Sequence, residues 1–172
     1  MRYSQRRSKH SRSELLYDCI ETPVGPLSIV FYYPAGNTTR ACLLRITFSP
    51  RVSGAKKTPL PEYIKRQFRE YFNGNRKSFD LCYELKGSEF EKEVWELTAS
   101  IPYGQTRTYK WIAEQLKKPG SVRAVGQALK RNALPIVVPC HRVIMSDGDI
   151  GGYSSGTEIK RRLLDLEYYS NR

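Results

Sequence analysis

The sequence predicts a mixed α/β (α+β) protein with a small N-terminal antiparallel sheet and helix and a mostly helical C-terminal part. Its 172 residues suffice for one domain or two small ones. Residues 15–48 hold short runs rich in Leu, Ile, Val, Tyr and Phe, which turns separate. From residue 88 onward, apolar residues recur at helical spacing and follow residues that cap helices.

The N-terminal part is predicted as a β-meander followed by a helix. Three strands are predicted, over residues 15–21, 27–33 and 41–48. A helix is predicted over 61–73, because Ile64 and Phe68 share one face and Gly74 follows as a stop. Residues 79–84 are predicted as one more strand.

The pattern changes near residue 87. Ser88 and Glu91 form the S-x-x-E pattern of a capping box, and the helix that it opens carries Val94 and Leu97 on one face. We therefore predict three parts: a basic, flexible arm over residues 1–13, an N-terminal α/β domain over 14–86 and a C-terminal domain over 87–172.

Two short helices are predicted next, over 109–117 and 122–131, with Thr108 and Ser121 as caps and a Lys-Pro-Gly turn between them. The second helix carries a basic and polar outer face formed by Arg123, Gln127, Lys130 and Arg131. This pattern fits a helix-turn-helix and an ordinary helical hairpin about equally well. Gly126 tilts the balance towards the former, because a glycine inside a helix often marks the close approach of another surface.

Three features are predicted around the last third of the chain. Asn132 is expected to end the preceding helix in the left-handed conformation. Residues 135–139 are predicted as a short apolar strand between prolines that leads into Cys140. The last helix is predicted over 158–168, with Thr157 as its cap.

The charge of the chain favours a polyanionic partner, most often nucleic acid. The formal net charge is +12, and residues 105–145 hold one acid, Glu114. The basic residues of that segment are Arg107, Lys110, Lys117, Lys118, Arg123, Lys130, Arg131 and Arg142. No apolar run reaches the length of a membrane span or a signal peptide, so we expect neither a membrane protein nor a secreted one.

The cysteines are expected to be free thiols, because we expect an intracellular protein and disulfides are rare inside cells. They are Cys19, Cys42, Cys82 and Cys140. None forms a C-x-x-C pair and the chain has two histidines, so we expect no zinc site and no other metal.

Cys140 is the candidate nucleophile, because His141 and Arg142 follow it and positive charge lowers the pKa of a thiol. Glu167 shares the inward face of the last helix, where a carboxylate needs a partner. Pairing with His141 would complete a nucleophile, a base and an orienting group. Pairing with Arg142 or Arg161 is the alternative, and spacing alone favours it slightly.

Residues 146–156 contain four glycines, which suggests a loop whose backbone approaches a ligand. Tyr153 and Ser154 would then line a pocket, and a flexible surface loop is an equally common reading of the pattern.

Pro139-Cys140-His141-Arg142-Val143 resembles the active-site motif of the O6-alkylguanine-DNA alkyltransferases. Further motifs follow the order of that family: Ile101-Pro102-Tyr103-Gly104, Tyr109, Arg123-Ala124-Val125-Gly126, Asn132, Gly152-Tyr153-Ser154, Lys160 and Leu163-Leu164 with Glu167. The resemblance covers residues 88–172 closely and residues 1–87 only in general layout. It implies a ribonuclease-H-like N-terminal domain and a winged-helix-like C-terminal domain with a helix-turn-helix.

The resemblance implies one irreversible transfer of a methyl or alkyl group from O6-alkylguanine, and from O4-alkylthymine, in duplex DNA after nucleotide flipping. It implies no cofactor. Cys140 would accept the group, His141 would deprotonate Cys140 through a water, Glu167 would orient His141, and Tyr109 would donate a proton to the departing guanine.

The resemblance assigns binding roles to further residues. Val143 would offer a carbonyl to the base, and Tyr153 and Ser154 would form the pocket loop. Lys160 would lie near the leaving oxygen, and Asn132 would tie the helix-turn-helix to the active-site strand. The residues implied to contact DNA are Arg123, which enters the base stack, together with Ala124, Gly126, Gln127, Lys130 and Arg131.

Two other classes of protein compete with this interpretation. A non-catalytic, alkylated-DNA-binding regulator would use the same helix-turn-helix, but Cys140 argues against it. A Cys–His–Glu hydrolase of small acyl substrates would not need a net charge of +12. We expect a monomer that acts in the cytoplasm, or in the nucleus of a eukaryote.

Overall fold

The computed structural model describes residues 14–37 and 39–171, so the predicted arm over 1–13 lies outside the described residues. The strands are β1 (Leu16–Ile20), β2 (Leu27–Tyr32), β3 (Cys42–Thr47), β4 (Lys56–Lys57), β5 (Cys82–Tyr83), β6 (Arg107–Thr108) and β7 (Val143–Ile144). The α-helices are α1 (Glu62–Phe72), α2 (Glu89–Ala99), α3 (Tyr109–Gln115), α4 (Val122–Lys130) and α5 (Thr157–Tyr169). No helix among the described residues is long and apolar enough to cross a bilayer.

Five strands form one sheet in the order β4-β1-β2-β3-β5. β1, β2 and β3 are antiparallel neighbours, which confirms the predicted meander. β4 and β5 add two residues each at the edges, in parallel with β1 and β3. β4 consists of two exposed lysines, so it has no apolar pattern from which a strand could be predicted. β5 has two residues and is shorter than the predicted strand over 79–84.

Helix α1 covers the sheet and matches the predicted helix. Ile64, Phe68 and Tyr71 on its inner face are fully buried. The apolar core runs from the sheet through α1 into the C-terminal helices as one cluster. The predicted domain boundary at 86/87 falls in the connection between β5 and α2 and stays a prediction.

The capping box of α2 is present as predicted. Ser88 Oγ accepts a hydrogen bond from the Glu91 backbone N–H, and Glu91 Oε2 accepts one from the Ser88 N–H at 2.8 Å. Within α2, the buried Trp95 donates its indole N–H to the Ala128 carbonyl of α4 at 2.8 Å. Helix α2 therefore anchors the end of α4.

Helices α3 and α4 form the predicted pair, with a 3₁₀ turn over Pro119–Ser121 between them. Thr108 caps α3, since its Oγ1 accepts a hydrogen bond from the Trp111 N–H at 3.0 Å. Ser121 does not cap α4, because its hydroxyl donates to the Lys118 carbonyl instead. The prediction for Thr157 is also wrong, because it is the first residue of α5 and Gly156 precedes it with φ at 98°.

The segment between α4 and Cys140 differs from the prediction. Asn132 is not left-handed, and residues 135–139 form a turn closed by one bridge between Pro135 and Val138, with Ile136 at φ 76°. The cause is the Asn132 side chain, which accepts from the Leu134 N–H and donates to the Val138 carbonyl at 2.8 Å. These bonds tie the segment into a compact turn rather than a strand. The Ile46 N–H of β3 donates to the Ala133 carbonyl and fastens this turn to the sheet.

Two cysteines are not free thiols. A disulfide joins Cys42 of β3 to Cys82 of β5, where strand pairing sets the two residues side by side. The prediction is therefore wrong for this pair, because their proximity depends on a strand pairing across 40 residues. Cys19 and Cys140 are free thiols.

Candidate active site

A cavity of about 460 Å³ opens between α4 and the segment that precedes α5, with Cys140 on its wall. Seven of the predicted site residues line it: Tyr109, Arg123, Gly126, Lys130, Cys140, Tyr153 and Ser154. Val122, Leu129, Met145 and Gly152 complete the lining. Val122, Leu129 and Met145 are apolar side chains that could not be told from core positions in the sequence.

Cys140 begins a 3₁₀ turn over Cys140–Arg142 and is 6% exposed. The Asn132 amide Nδ2 donates to its Sγ at 3.1 Å. Burial raises the pKa of the Cys140 thiol, while Asn132, Tyr153 and Lys160 lower it in part. The expectation that Arg142 serves the thiol is wrong, because the side chain of Arg142 turns to Glu167.

Glu167 of α5 lies at the centre of a buried network and is 1% exposed. Its Oε1 lies 2.8 Å from His141 Nε2, 2.9 Å from Arg142 Nη2 and 2.7 Å from the Tyr71 hydroxyl. Its Oε2 accepts from Arg142 Nε at 2.9 Å and from the Gly104 N–H at 3.1 Å. Both partners that the sequence left open, His141 and Arg142, therefore bind Glu167 together, whereas Arg161 is exposed.

The protonation of this pair follows from its surroundings. Burial alone would raise the pKa of Glu167, but hydrogen bonds and charge from His141 and Arg142 outweigh burial and hold the pKa well below the usual range. Burial lowers the pKa of His141 more than Glu167 raises it. Glu167 is therefore ionised and His141 neutral at pH 7, with its Nε2 hydrogen directed at Glu167.

His141 has a second ring nitrogen free for chemistry. Its Nδ1 is buried and has no hydrogen-bond partner among the described residues. Because Nε2 carries the hydrogen, Nδ1 holds the lone pair. A neutral histidine fixed in this tautomer by a carboxylate is the arrangement of a general base.

Arg142 is buried, and its Nη1 donates to the Ile101 carbonyl at 2.6 Å. Its guanidinium also lies 5.6 Å from the centre of the Tyr103 ring. The sequence grouped Arg142 with the residues that face a polyanion. That grouping is wrong, since all of these contacts are inside the protein.

Lys160 is fully buried and donates to the Val143 carbonyl at 2.6 Å. Its ammonium nitrogen lies 5.8 Å from the centre of the Tyr109 ring. Burial lowers the pKa of Lys160 to about 8. Lys160 thus places a positive charge near the thiol at pH 7 and joins α5 to the strand that follows Cys140.

Five of the six predicted DNA contacts are exposed on α4 or directly after it, and Gly126 is partly buried. The five are Arg123, Ala124, Gln127, Lys130 and Arg131. Arg131 forms an ion pair with Glu91 at 2.9 Å, and Lys118 forms one with Glu93. A Cβ added at Gly126 would meet only the Tyr109 ring, at 4.0 Å. The described part of the protein therefore leaves room at Gly126. Across residues 14–37 and 39–171, no three His, Cys, Asp or Glu side chains cluster as metal ligands.

Known proteins resemble this chain over most of its length. The family described as 6-O-methylguanine DNA methyltransferase, DNA binding domain, matches residues 89–169. The methylated-DNA–protein-cysteine methyltransferase of Methanosarcina barkeri is 43% identical over 163 residues, which are 89% of this chain and 97% of that protein. The chain belongs to the methylated-DNA–protein-cysteine methyltransferase family.

Other members of this methyltransferase family match at similar length. The constitutive methylated-DNA–protein-cysteine methyltransferase of Bacillus subtilis is 43% identical and covers 90% of this chain and 96% of its own. The crystal structure of the Mycobacterium tuberculosis O6-methylguanine methyltransferase has a TM-score of 0.80 at 34% identity, covering 91% of this chain and 94% of that one. OGT of the same organism in complex with DNA has a TM-score of 0.78 at 38% identity, with 90% and 94% covered.

Proposed function

We propose that this methyltransferase repairs DNA by moving the alkyl group of O6-alkylguanine onto Cys140 in a single turnover. The observation that carries the proposal is the buried His141, which directly follows a cysteine on the cavity wall. Glu167 holds His141 through Nε2, and Nδ1 has no partner among the described residues. The same cavity would take O4-alkylthymine, whose alkyl carbon is also bonded to an exocyclic oxygen of the base.

The chemistry is a displacement at the alkyl carbon. The Cys140 thiol gives its proton, through a water, to His141 Nδ1, and Glu167 stabilises the resulting imidazolium. The Cys140 sulfur then forms a bond to the alkyl carbon as the bond from that carbon to O6 breaks. The bonding pair stays with guanine, which takes a proton from the Tyr109 hydroxyl, and the imidazolium proton restores Tyr109. The products are a thioether and guanine, and a thioether is a poor leaving group.

The environment of Cys140 acts on both protonation states of its thiol. Burial raises the pKa of the thiol and keeps it protonated at rest. Asn132, Tyr153 and the Lys160 ammonium stabilise negative charge on the sulfur once His141 has taken the proton. The hydroxyl of Tyr153 is buried beside the sulfur, and Lys160 holds the Val143 carbonyl that would face the base.

Access to a base inside a duplex requires nucleotide flipping, which costs a few kcal/mol. Arg123 is exposed at the cavity rim and would fill the gap in the base stack. Ala124 and Gly126 would allow the backbone of α4 to approach the minor groove, with Gln127, Lys130 and Arg131 on the same side. We further propose that the protein acts as a monomer in the cytoplasm, which would place it with the DNA of bacterial and archaeal cells, the source of the relatives named above.

The test is a Cys140→Ala variant mixed with duplex DNA that contains O6-methylguanine, followed by protein mass spectrometry. We expect the unmodified protein to gain one methyl group, and the variant to gain none while still binding the DNA. Cys19→Ala is the matched control, since Cys19 is the other free thiol, and it should react fully. Methylation of the Cys140→Ala variant would refute Cys140 as the acceptor.

A further inference from the structure

Tyr71 connects the N-terminal part of the chain to the site. It lies on α1, and its hydroxyl donates to Glu167 Oε1 at 2.7 Å across 96 residues. This is the shortest hydrogen bond to Glu167, and the other four come from residues 104, 141 and 142. Among the described residues, no other side chain of α1 bonds to the network.

The Tyr71 ring is held in one place. It is fully buried and packs edge-on against Phe72 and Tyr103, with ring centres 5.2 and 5.7 Å apart, and at a tilt against Phe79 at 5.4 Å. Tyr103 in turn lies under the Arg142 guanidinium. This packing holds the ring with its hydroxyl facing Glu167.

We propose that Tyr71 is a positioning residue for alkyl transfer. Its hydroxyl, which comes from the N-terminal part of the chain, positions the Glu167 carboxylate against His141. The proposal rests on the function proposed above. Packing alone does not call for a hydroxyl here, because Phe68 and Phe72 on the same helix pack without one. Tyr71 is not a catalytic residue, since it touches Glu167 rather than the reacting atoms.

The direction of its effect follows from the shared oxygen. Tyr71 and His141 both bond to Oε1, so the hydroxyl withdraws electron density that would otherwise hold the His141 hydrogen. The charged and titratable groups around His141 are Glu167, Arg142, Lys160 and Cys140, and Tyr71 and Tyr103 complete the surroundings of Glu167. Of these groups, Tyr71→Phe removes one neutral donor and leaves every charge in place.

Tyr71→Phe should therefore make Oε1 a stronger acceptor and raise the pKa of His141. His141 acts as a base only when neutral, so the acid limb of the rate should move to higher pH, on the order of half a pH unit. The measurement is the rate of single-turnover alkyl transfer from free O6-benzylguanine against pH. The free base avoids any effect on nucleotide flipping.

Tyr63→Phe is the matched control. Tyr63 also lies on α1, and its hydroxyl accepts from the Ala41 N–H at 2.9 Å, away from Glu167. Its removal should leave the pH profile unchanged. Replacement of Tyr71 by 3-fluorotyrosine is a second test that preserves the ring and the hydroxyl. A more acidic phenol is a stronger donor, so the acid limb should move to lower pH.

Opposite shifts for the two Tyr71 variants would establish the role. A profile that stays unchanged in either folded variant overturns it, and if Tyr71→Phe does not fold, the fluorotyrosine protein alone decides. A wild-type protein that transfers no alkyl group would instead refute the function proposed above, so the two failures are distinguishable.

Discussion

Lys160 is a buried cation that acts on its neighbours through both charge and hydrogen bonding. Its pKa of about 8 leaves it charged at pH 7, and that charge disappears as the pH rises through about 8. The charge favours the thiolate of Cys140, and the hydrogen bond fixes the Val143 carbonyl. Loss of this charge should therefore lower the reactivity of the thiol.

Lys160→Met keeps the length of the side chain and removes its charge, so we expect the pKa of Cys140 to rise. Alkylation of Cys140 by iodoacetamide at pH 7.5 should become several-fold slower, because half a pKa unit is about a threefold change in thiolate. Peptide mass spectrometry would follow Cys140 across a pH series. Arg161→Met, an exposed change on the same helix, should have no effect. Equal profiles for the two variants would show that Lys160 does not act on the thiol.

At the scale of single residues, the sequence shows which side chains are reactive better than it shows which partners they contact. The thiol, the imidazole and the carboxylate could be found because their types and motif are distinctive. Arg142 could not be placed, since an arginine next to a histidine fits a DNA-facing surface as well as a buried ion pair. The hydroxyl of Tyr71 could not be placed either, because its partner lies 96 residues away.

Helix α4 is the element that faces solvent beside the cavity, and Arg123 lies at the rim. Arg123→Ala should slow repair in duplex DNA severely, because the side chain would no longer stabilise the flipped state. The reaction with free O6-benzylguanine needs no flipping and should change little. The variant should therefore raise the activation free energy on duplex DNA more than on the free base, by a few kcal/mol at most.

Paired single-turnover kinetics on duplex DNA and on the free base would measure that divergence. Arg162→Ala removes the same charge from an exposed position on α5, outside the cavity lining, and serves as the control. If Arg123→Ala lost the same factor on both substrates, Arg123 would support the fold or the active site rather than flipping.

Elements with strong local signals could be predicted from the sequence, and elements set by tertiary contacts could not. The capping box at Ser88 and the cap at Thr108 depend on neighbours within three residues. The sequence predicts a strand over 135–139, because this segment is apolar and lies between prolines. Its shape depends instead on the Asn132 side chain and on a left-handed Ile136.

The whole molecule is fastened at several points between distant segments. The Cys42–Cys82 disulfide joins β3 to β5, and the Ile46 N–H reaches the Ala133 carbonyl next to Asn132. The disulfide restricts the unfolded chain, and the hydrogen bond fixes the course of the backbone that leads to Cys140. None of them has a local signature in the sequence, since each joins residues at least 40 positions apart.

The disulfide should contribute to global stability. It closes a loop with a sequence separation of 40, and the entropy that this loop removes from the unfolded chain corresponds to about 4 kcal/mol at most. The Cys42→Ser/Cys82→Ser double variant should therefore have a lower free energy of unfolding, measured by urea denaturation without reductant. Alkyl transfer should persist, because Cys140 is not part of the sheet. Cys19→Ser is the control, and a double variant as stable as the unmodified protein would contradict this role.

The positions of the two tryptophans have a consequence for spectroscopy. Trp95 is buried in α2 and bonded to the carbonyl of Ala128, whereas Trp111 in α3 is partly buried, with the Arg107 guanidinium 5.4 Å from its ring centre. The chain has no other tryptophan, so the sheet and α1 contribute only tyrosine emission. Fluorescence excited at the red edge of the protein band therefore reports on α2 and α3 and not on the sheet. A denaturation curve recorded in this way that fails to overlay the curve from circular dichroism would show that the sheet melts separately.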